Sequence, residues 1–174
     1  PGDCFLAAYE ACKIAIKYMT PVFYLSDGYL ANGSEPWKIP DIKELDPIEV
    51  KFSDKPNEGD SFLPYKRDDK TLSRPWALPG TPGLEHRLGG IEKEENTGHV
   101  NYDPDNHHRM TELRQEKIAR VASDIGKTKV YGDSKGDLLI LGWGGTYGAC
   151  RSSAETLREQ NYKVSHVHLR WINP

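Results

Sequence analysis

A glycine-rich turn between two apolar segments near the end of the chain constrains the fold more than any other feature. Residues 138–141 are the continuous apolar run of a buried parallel strand, and the turn follows at 142–148. Residues 149–159 are predicted to form a helix, and residues 163–169 the returning strand. Because two parallel strands joined by a crossover helix make a βαβ unit, the sequence predicts an α/β fold.

The turn narrowly misses the fingerprint of a dinucleotide-binding fold. In the pattern G-x-G-x-x-G counted from Gly142, the third glycine is replaced by Tyr147. The returning strand ends in His168-Leu169-Arg170, so the acid that would hold a ribose hydroxyl is absent from its tip. NAD is therefore not indicated, although an NADP-binding module in which Arg170 holds a 2′-phosphate stays open as an alternative.

The glycines of this turn allow two interpretations. Glycines between a strand and a helix let the backbone approach a ligand closely, and a helix N-terminus favours anions. The same glycines also allow close packing of the helix on the strand with no ligand present. No P-loop, nucleophile elbow or kinase motif accompanies the turn, so both interpretations stay open.

Composition restricts the class of protein. The 174 residues are enough for one domain of ordinary size or for parts of two. The net charge is −3, no basic patch indicates nucleic acid, and no apolar run is long enough to span a membrane. The scattered Cys4, Cys12 and Cys150 form no C-x-x-C pair, which is typical of a reduced, cytoplasmic protein.

The start of the chain predicts a second α/β fragment. Residues 4–19 are predicted to form a helix that is buried on most of its surface, with Asp3 as its N-cap. Thr20-Pro21 ends this helix. A short apolar strand is predicted at 22–25, followed by a turn at 26–28.

The stretch 33–98 is rich in proline and shows no sustained period. Residues 48–52 alternate in polarity and are predicted to form an edge strand. Its large apolar side chains need burial, which argues against disorder; they include Phe62, Tyr65, Trp76 and Leu78. We interpret the stretch as an ordered, extended excursion that lies over a domain or against a partner.

Asp103 followed by Pro104 is the strongest local signal of a helix start. The helix is predicted over 104–124, with one apolar side formed by Met110, Leu113, Ile118, Val121 and Ala122. Glu116 and Arg120 form an i,i+4 pair on its solvated side. Residues 123–135 then resemble an interdomain linker with a short strand at 129–131, and a new domain is predicted to begin near Asp137.

Histidines and acids cluster around the start of this helix: His99, Asp103, His107, His108 and Glu112. His108 and Glu112 share a helix face, as two metal ligands would. No H-E-x-x-H pattern supplies a third ligand, so a solvated helix start is favoured and no metal site is predicted. His166 and His168 share one face of the last predicted strand, where a hydrogen-bonded core or interface role is favoured.

The segments that match one known family follow in chain order: Pro1-Gly2-Asp3-Cys4-Phe5, Thr20-Pro21-Val22, Leu25-Ser26-Asp27-Gly28-Tyr29-Leu30-Ala31, Gly83-Leu84-Glu85-His86, Gly98-His99, Asp103-Pro104-Asp105-Asn106-His107, Gly136-Asp137-Leu138-Leu139-Ile140-Leu141-Gly142-Trp143-Gly144 and His168-Leu169-Arg170-Trp171-Ile172-Asn173-Pro174. In this order they resemble the alpha subunit of 2-oxoacid:ferredoxin oxidoreductases of the 2-oxoglutarate type. The likeness covers essentially the whole chain, and the matching segments are too long for chance.

The resemblance implies a thiamine diphosphate enzyme that oxidatively decarboxylates a 2-oxoacid onto coenzyme A and passes electrons to ferredoxin. It implies that residues 1–100 are the end of a pyrimidine-binding domain that carries the excursion at 33–98. Residues 101–136 are then a linking helix and linker, and residues 137–174 begin a domain like the C-terminal domain of transketolase. On this view the chain is part of a longer polypeptide.

The resemblance also implies that the reactive groups lie outside this chain. In the family, the glutamate that protonates the aminopyrimidine and a basic residue for the substrate carboxylate lie upstream. Pyrophosphate and Mg²⁺ bind a beta subunit, and the iron–sulfur clusters lie elsewhere in the complex. No catalytic or metal-binding residue is therefore expected within residues 1–174.

One tip of the chain remains a candidate for contact with a cofactor, substrate or subunit. It follows the predicted strand at 22–25, at the sheet edge where α/β folds place ligands. The candidate residues are Asp27, Gly28, Tyr29 and Asn32. Purely structural turn residues are the alternative interpretation.

Two alternatives to an oxidoreductase subunit remain. One is the NADP-binding module with Arg170, which predicts saturable binding of NADPH. The other is a non-enzymatic assembly module that uses the proline-rich excursion as a docking surface. A natural partner that carries thiamine diphosphate favours the oxidoreductase over the assembly module.

Overall fold

The computed structural model describes residues 1–174 as a mixed α/β chain. The α-helices are α1 (Gly2–Tyr18), α2 (Gly28–Asn32), α3 (Pro104–Val121) and α4 (Tyr147–Glu159). The strands are β1 (Phe52–Ser53), β2 (Trp76–Ala77), β3 (Val130–Tyr131), β4 (Leu138–Trp143) and β5 (Val164–Leu169). Short 3₁₀ helices occupy Ile42–Glu44 and Gly144–Thr146. No helix is both long and apolar enough to cross a bilayer.

The chain divides into two compact units. The first, here the sheet unit, contains Pro1–Ala8, Phe23–Ile39 and Ile125–Pro174. The second, here the helix–loop unit, contains Tyr9–Val22 and Pro40–Asp124. The sheet unit therefore gathers the tip at 26–32 and the glycine-rich turn, while the helix–loop unit contains α3 and most of the proline-rich stretch.

The sheet unit is built on the βαβ connection that the sequence predicts. Strands β4 and β5 pair in parallel from Leu138–Val164 to Trp143–Leu169, and α4 is the crossover between them. Strand β3 pairs antiparallel with β5 on its other side, so the sheet order is β3-β5-β4. The parallel βαβ prediction is confirmed, and the stretch expected to link two domains contributes β3 to the same sheet.

Burial in the sheet unit is concentrated on the central strand. Residues 164–167 of β5 are buried, whereas Leu139, Leu141 and Trp143 of β4 remain more than half exposed. Strand β4 is the edge of this sheet, so it has a neighbour on one side only. The prediction that this strand is fully buried is therefore wrong for this chain, because an apolar run cannot reveal how many neighbours a strand has.

Three predictions near the start of the chain are also wrong. Asp3 lies in the first turn of α1, which begins at Gly2, and so it is not the N-cap. Residues 22–25 form no strand, and Phe23 is 86% exposed. A strand needs a partner for its backbone N–H and C=O groups, and no other segment of this chain pairs with these residues. Helix α1 is less buried than predicted, since Ile14 and Tyr18 are buried but Phe5 and Leu6 stay exposed.

Helix α3 anchors the helix–loop unit. Asp103 is its N-cap, and Oδ1 of Asp103 accepts hydrogen bonds from the N–H groups of Asp105 at 2.8 Å and Asn106 at 3.2 Å. Met110 and Leu113 on its apolar side form a buried cluster with Leu72. The predicted cap and apolar side are confirmed, and the helix ends at Val121, slightly before the predicted end.

The proline-rich stretch is built of turns, bridges and one minimal sheet. Strands β1 and β2 pair in parallel, with Phe52 opposite Trp76. The indole Nε1 of Trp76 donates a hydrogen bond to the Ile16 carbonyl oxygen at 3.1 Å, which fixes this part of the stretch to α1. The edge strand predicted at 48–52 is confirmed only at Phe52, since the assigned strand is Phe52–Ser53.

Candidate functional site

The tip of the sheet unit is organised by one carboxylate. Asp27 caps α2, and its Oδ1 accepts a hydrogen bond from Leu30 N at 2.9 Å. Its Oδ2 accepts a second hydrogen bond from Gly145 N, at 2.5 Å, in the glycine-rich turn. The N–H groups of Leu30 and then Gly145 hold the pKa of Asp27 below its ordinary value. Asp27 therefore clasps the tip to the turn, and we call this contact the Asp27 clasp.

The other predicted site residues divide into one that supports the tip and two that face outward. The Asn32 side chain donates a hydrogen bond from Nδ2 to the Gly28 carbonyl oxygen at 2.7 Å, which closes the single turn of α2. Tyr29 is 80% exposed. A Cβ added to Gly28 would meet no atom within 4 Å. Tyr29 and Gly28 are thus the two predicted residues that are open to a ligand or a partner.

The glycines of the turn have local packing roles. A Cβ on Gly145 would lie 2.5 Å from Asp27 Oδ2, and one on Gly142 would lie 3.0 Å from Cys150 Sγ. Gly144 adopts a φ of +60°, in the left-handed region that side chains disfavour. Each of these three glycines therefore has a local cause: Gly142 packs against the crossover helix, Gly144 adopts a left-handed backbone, and Gly145 approaches Asp27.

The two histidines of β5 lie together on the face that packs against α4. His166 is 2% exposed, and its ring lies 6.0 Å from that of His168. The Tyr147 ring contacts both rings, at 5.6 Å and 5.2 Å between centroids. His166 Nε2 and His168 Nδ1 are buried and have no hydrogen-bond partner. Burial, and then the charges of His168 and Arg151, lower the pKa of His166, which favours its neutral ring in this packed cluster.

The histidines at the start of α3 pair with carboxylates on the surface. His107 Nδ1 lies 2.5 Å from Glu92 Oε2, and His108 Nε2 lies 3.3 Å from Glu112 Oε1. Asp103 is engaged as the helix cap. No group of three or more potential metal ligands comes together in the structure. The cluster that the sequence singles out is therefore a set of separate pairs and a cap.

Sequence inspection missed three half-buried cations in the helix–loop unit: Arg67, Arg74 and Lys117, here the cationic cluster. None of them takes part in a salt bridge. Burial, and then the charges of Arg67 and Arg74, lower the pKa of Lys117 to about 8. Burial is also the largest cause that lowers the pKa of Arg67, and the charge of Arg74 adds to it.

One signal in the sequence points to this cluster. Lys117 falls at a helical spacing with three apolar residues of α3, namely Met110, Leu113 and Val121, and all three are buried. A lysine in a buried stripe of a helix must either extend its amine to solvent or lie close to other groups. The arginines, in contrast, come from an irregular stretch in which no period predicts their orientation.

Comparison with known proteins places the chain in a family. The sequence model described as pyruvate flavodoxin/ferredoxin oxidoreductase, thiamine diphosphate-binding, matches residues 1–103. The chain belongs to this family of thiamine diphosphate-binding oxidoreductase domains.

Similar proteins are alpha subunits of 2-oxoacid oxidoreductases. The chain is 49% identical to the 2-oxoglutarate oxidoreductase subunit KorA of Mycobacterium tuberculosis, over all of this chain and 26% of that protein. It is 29% identical to the alpha subunit of 2-oxoacid:ferredoxin oxidoreductase 1 of Aeropyrum pernix, over 99% of this chain and 27% of that protein. The chain thus spans about a quarter of the length of the curated relatives it matches.

A solved structure has the same fold. The 2-oxoglutarate:ferredoxin oxidoreductase of Magnetococcus marinus, determined with 2-oxoglutarate, coenzyme A and succinyl-CoA bound, superposes with a TM-score of 0.80 at 30% identity. The match covers 92% of this chain and 27% of that one. The resemblance stated from the sequence is confirmed, as is the mixed α/β fold class.

Proposed function

We propose that this chain forms part of the alpha subunit of a 2-oxoacid:ferredoxin oxidoreductase. The enzyme would decarboxylate its 2-oxoacid with thiamine diphosphate, transfer the acyl group to coenzyme A and pass two electrons to ferredoxin. The observation that carries the proposal is the 49% identity to a 2-oxoglutarate oxidoreductase subunit over the full length of the chain. The structural match at a TM-score of 0.80 supports it independently of that alignment.

Among 2-oxoacids, 2-oxoglutarate is the proposed substrate. Two of the similar proteins carry that substrate in their names, and one of them was determined with 2-oxoglutarate and coenzyme A bound. Pyruvate is the smaller competitor that the family description mentions. 2-Oxoglutarate has two carboxylates and pyruvate has one, so the preference between these substrates depends on how the protein binds the second carboxylate of 2-oxoglutarate.

The residues of this chain do not fit the role of the proton-sharing carboxyl that thiamine diphosphate requires. That carboxyl must share a proton with the aminopyrimidine, which favours a carboxyl of raised pKa. Here each carboxyl with a shifted pKa is shifted downward by N–H donors or cations: Asp27, Glu35, Asp46, Glu58, Asp68 and Glu92. We therefore route no catalytic step through these residues and propose that the reactive carboxyl lies elsewhere in the protein.

The remaining parts of the assembly are proposed from the family resemblance. A beta subunit would hold the pyrophosphate and Mg²⁺, and iron–sulfur clusters elsewhere in the complex would carry electrons to ferredoxin. Residues 1–100 would form the end of the pyrimidine-binding domain, and residues 137–174 would form the start of a transketolase C-terminal-like domain. Residues 101–136 would connect the two domains. The parallel pairing of β4 and β5 supports the assignment of residues 137–174.

The exposed side of the tip is the proposed contact surface of this chain. Tyr29 and Gly28 are free to meet the cofactor, the substrate or another subunit, while Asp27 and Asn32 hold the tip in shape. A rigid tip with an exposed tyrosine is suited to such contact, because the phenol offers both an apolar ring and a hydroxyl.

Two observations weigh against the NADP-binding alternative. The guanidinium of Arg170 donates a hydrogen bond to Asp3, so it already has a carboxylate partner. Gly145 N, which would face a pyrophosphate, donates instead to Asp27. The assembly-module alternative is not favoured by any specific contact.

An activity assay on the full-length protein tests the proposal. The protein is purified with its natural partner subunits and mixed with 2-oxoglutarate, coenzyme A and oxidised ferredoxin, and ferredoxin reduction is followed by absorbance. We expect reduction that requires both substrates and thiamine diphosphate, and faster turnover with 2-oxoglutarate than with pyruvate. A partner without thiamine diphosphate, or no reduction with any 2-oxoacid, would overturn the proposal.

A further inference from the structure

We infer that Arg67, Arg74 and Lys117 form a binding site for a small oxyanion, a carboxylate or a phosphate. The site lies within the helix–loop unit, where two loop arginines approach the buried side of α3. Three features of the cluster support this inference. Its N–H donors have only weak acceptors, and its cations form no salt bridge. The acids Glu95 and Asp68 already accept hydrogen bonds from other groups.

The donors of the cluster have only weak acceptors within the protein. Arg67 Nη1 donates to the Tyr65 carbonyl oxygen at 3.5 Å, and Arg67 Nη2 lies 3.5 Å from Met110 Sδ. Lys117 Nζ lies 3.4 Å from the Met19 carbonyl oxygen. The two N–H···O distances are at the outer limit of a hydrogen bond, and a thioether sulfur is a weak acceptor. Arg67 Nε is buried and has no partner.

Arg74 is held by an aromatic face and not by an acid. Its guanidinium lies 4.7 Å from the centroid of the Tyr65 ring, and its Nη1 donates to the Pro64 carbonyl oxygen at 3.4 Å. A cation over a ring is oriented without being neutralised. Since a guanidinium has five donors, most of its hydrogen-bonding capacity remains for another group.

Three like charges in a half-buried position are unfavourable without a counter-ion. Each cation loses part of its hydration, and the three repel one another. The pKa of Lys117, lowered to about 8, reflects this cost. A bound carboxylate or phosphate would offset the repulsion and accept bidentate hydrogen bonds, which matches the fork of an arginine.

The acids near the cluster are engaged with other groups. Glu95, whose charge acts on Arg67, accepts a hydrogen bond from Arg109 Nε at 3.3 Å. Asp68 follows Arg67 in the sequence, but its Oδ1 accepts hydrogen bonds from Lys70 N at 2.9 Å and Thr71 N at 2.7 Å. No carboxylate forms a salt bridge with the cluster, and both of these acids already accept other hydrogen bonds, so an external anion is the partner that we infer.

The source of the anion rests on the proposed function. Under that function the protein handles two kinds of oxyanion, the carboxylates of a 2-oxoacid and the phosphates of coenzyme A. Both have the chemistry that the cluster requires. The experiment therefore uses 2-oxoglutarate, coenzyme A and inorganic phosphate as separate probes.

Calorimetric titration of the full-length protein with its partner subunits tests the site. The variants Arg74→Gln and Lys117→Met each remove one charge, and Lys117→Met keeps the length of the side chain for packing. The exposed Arg87, which makes no salt bridge, gives the matched control Arg87→Gln. We expect each cluster variant to bind at least one probe about tenfold more weakly or worse, the cost of one charge-assisted hydrogen bond, and the control to bind as the wild type does.

The pattern across the probes identifies the source. Weaker binding of 2-oxoglutarate assigns the site to a carboxylate, and weaker binding of coenzyme A alone assigns it to a phosphate. Unchanged affinity for all three probes in both cluster variants overturns the inference. Lys117→Arg, which keeps the charge, should retain most of the wild-type affinity and serves where another variant does not fold.

The failure of this inference and that of the proposed function are distinguishable. If the complex oxidises 2-oxoglutarate but the variants bind all three probes as the wild type does, the proposed function is supported and the anion site is refuted. If the protein binds inorganic phosphate through Arg74 and Lys117 but oxidises no 2-oxoacid, the anion site is supported and the proposed function is refuted.

Discussion

The Asp27 clasp and the cationic cluster show opposite ways of treating charge in one chain. In the clasp, both carboxylate oxygens accept hydrogen bonds from backbone N–H groups of the same unit. In the cluster, three cations share long contacts to neutral atoms, and no salt bridge includes them. Asp27, which the sequence predicts as a contact residue, has its hydrogen-bond partners within the chain. The cations of the cluster, which the sequence does not predict, lack acceptors of comparable quality.

This difference separates residues that shape a protein from residues that await a partner. A charge with complete hydrogen bonding stabilises its local fold, and removing it loosens that fold. A desolvated charge without a counter-ion destabilises the isolated fold. Its removal should therefore increase the free energy of unfolding and weaken the binding of an anion. The following predictions test that contrast in order of expected effect, each by hydrogen-exchange mass spectrometry of the full-length protein unless stated otherwise.

The largest effect is expected for Gly145→Ala. The new Cβ would lie 2.5 Å from Asp27 Oδ2, so the clasp must open or shift. Overpacking of this kind costs about 1–3 kcal/mol, which corresponds to roughly 5- to 150-fold faster exchange in peptides that cover 142–160. Gly148→Ala is the matched control, because nothing lies within 4 Å of its Cβ and alanine favours a helix. Equal exchange rates in both variants would show that the Asp27 clasp does not stabilise this turn.

The cationic cluster should respond in the opposite direction. Lys117 has a pKa of about 8 in the folded protein against an ordinary value of 10.5. The unfolded chain therefore binds more protons between these values, so stability rises with pH across that window and the full penalty is present below pH 8. Without added anions, Lys117→Met should stabilise α3 by about 1–2 kcal/mol at pH 7, a figure reduced for the solvent that still reaches the amine.

The pH dependence provides the control for this prediction. The advantage of Lys117→Met over the wild type should shrink as the pH rises from 8 towards 10.5, because the wild-type amine then becomes neutral. A variant that is less stable than the wild type at pH 7, with no anion present, would show that the lysine is already well paired.

Asp27→Asn should loosen the turn less than Gly145→Ala does. An amide oxygen still accepts one hydrogen bond at this position, but the charge that strengthens both bonds is lost. Because the folded pKa of Asp27 is lowered, its contribution is complete above the ordinary value of 3.8 and is lost as the pH falls through the folded value. The difference in exchange of residues 142–148 between variant and wild type should therefore be present at neutral pH and vanish in strong acid; a constant difference would contradict the clasp.

The smallest effect on stability is expected for Tyr29→Ala. The side chain is 80% exposed, so its removal should change local stability by no more than about 0.5 kcal/mol. Binding is the sharper test, because the tip is the proposed contact surface. A dissociation constant for thiamine diphosphate, or for the partner subunit, that rises while exchange stays constant would establish contact; no change in either constant would leave Tyr29 a simple surface residue.

The regular parts of the chain were predictable because local rules decide them. The Asp103 cap and the Glu116–Arg120 pair depend on spacing along one helix, and both are present, the latter with Arg120 Nε 3.1 Å from Glu116 Oε1. The βαβ unit follows from an apolar run, a glycine turn and a second apolar run. Such features need no knowledge of distant residues.

The errors arise where a distant neighbour decides the outcome. The segment at 22–25 has the composition of a strand but finds no partner, and β4 has the composition of a buried strand but lies at a sheet edge. The contact of Asp27 with a cofactor, substrate or subunit stays a prediction, but its hydrogen bond from Gly145, far along the chain, could not be foreseen from local spacing. The cationic cluster was missed since Arg67 and Arg74 come from a stretch without any period. The domain boundaries near 100 and 136 and the ligand contact of the tip stay predictions.

Amine labelling of the full-length protein tests the central claim that the cluster lacks an anion. An amine-reactive reagent is applied across a pH series, with and without saturating phosphate, and the initial labelling rate of each lysine is measured by mass spectrometry. Without phosphate, the labelling rate of Lys117 should reach half of its maximum near pH 8, and phosphate should move this midpoint upward by about one pH unit or more while leaving the exposed Lys51 unchanged. A half-maximal labelling rate of Lys117 near pH 10.5, or a midpoint that phosphate does not move, would contradict the claim that the cluster lacks an anion.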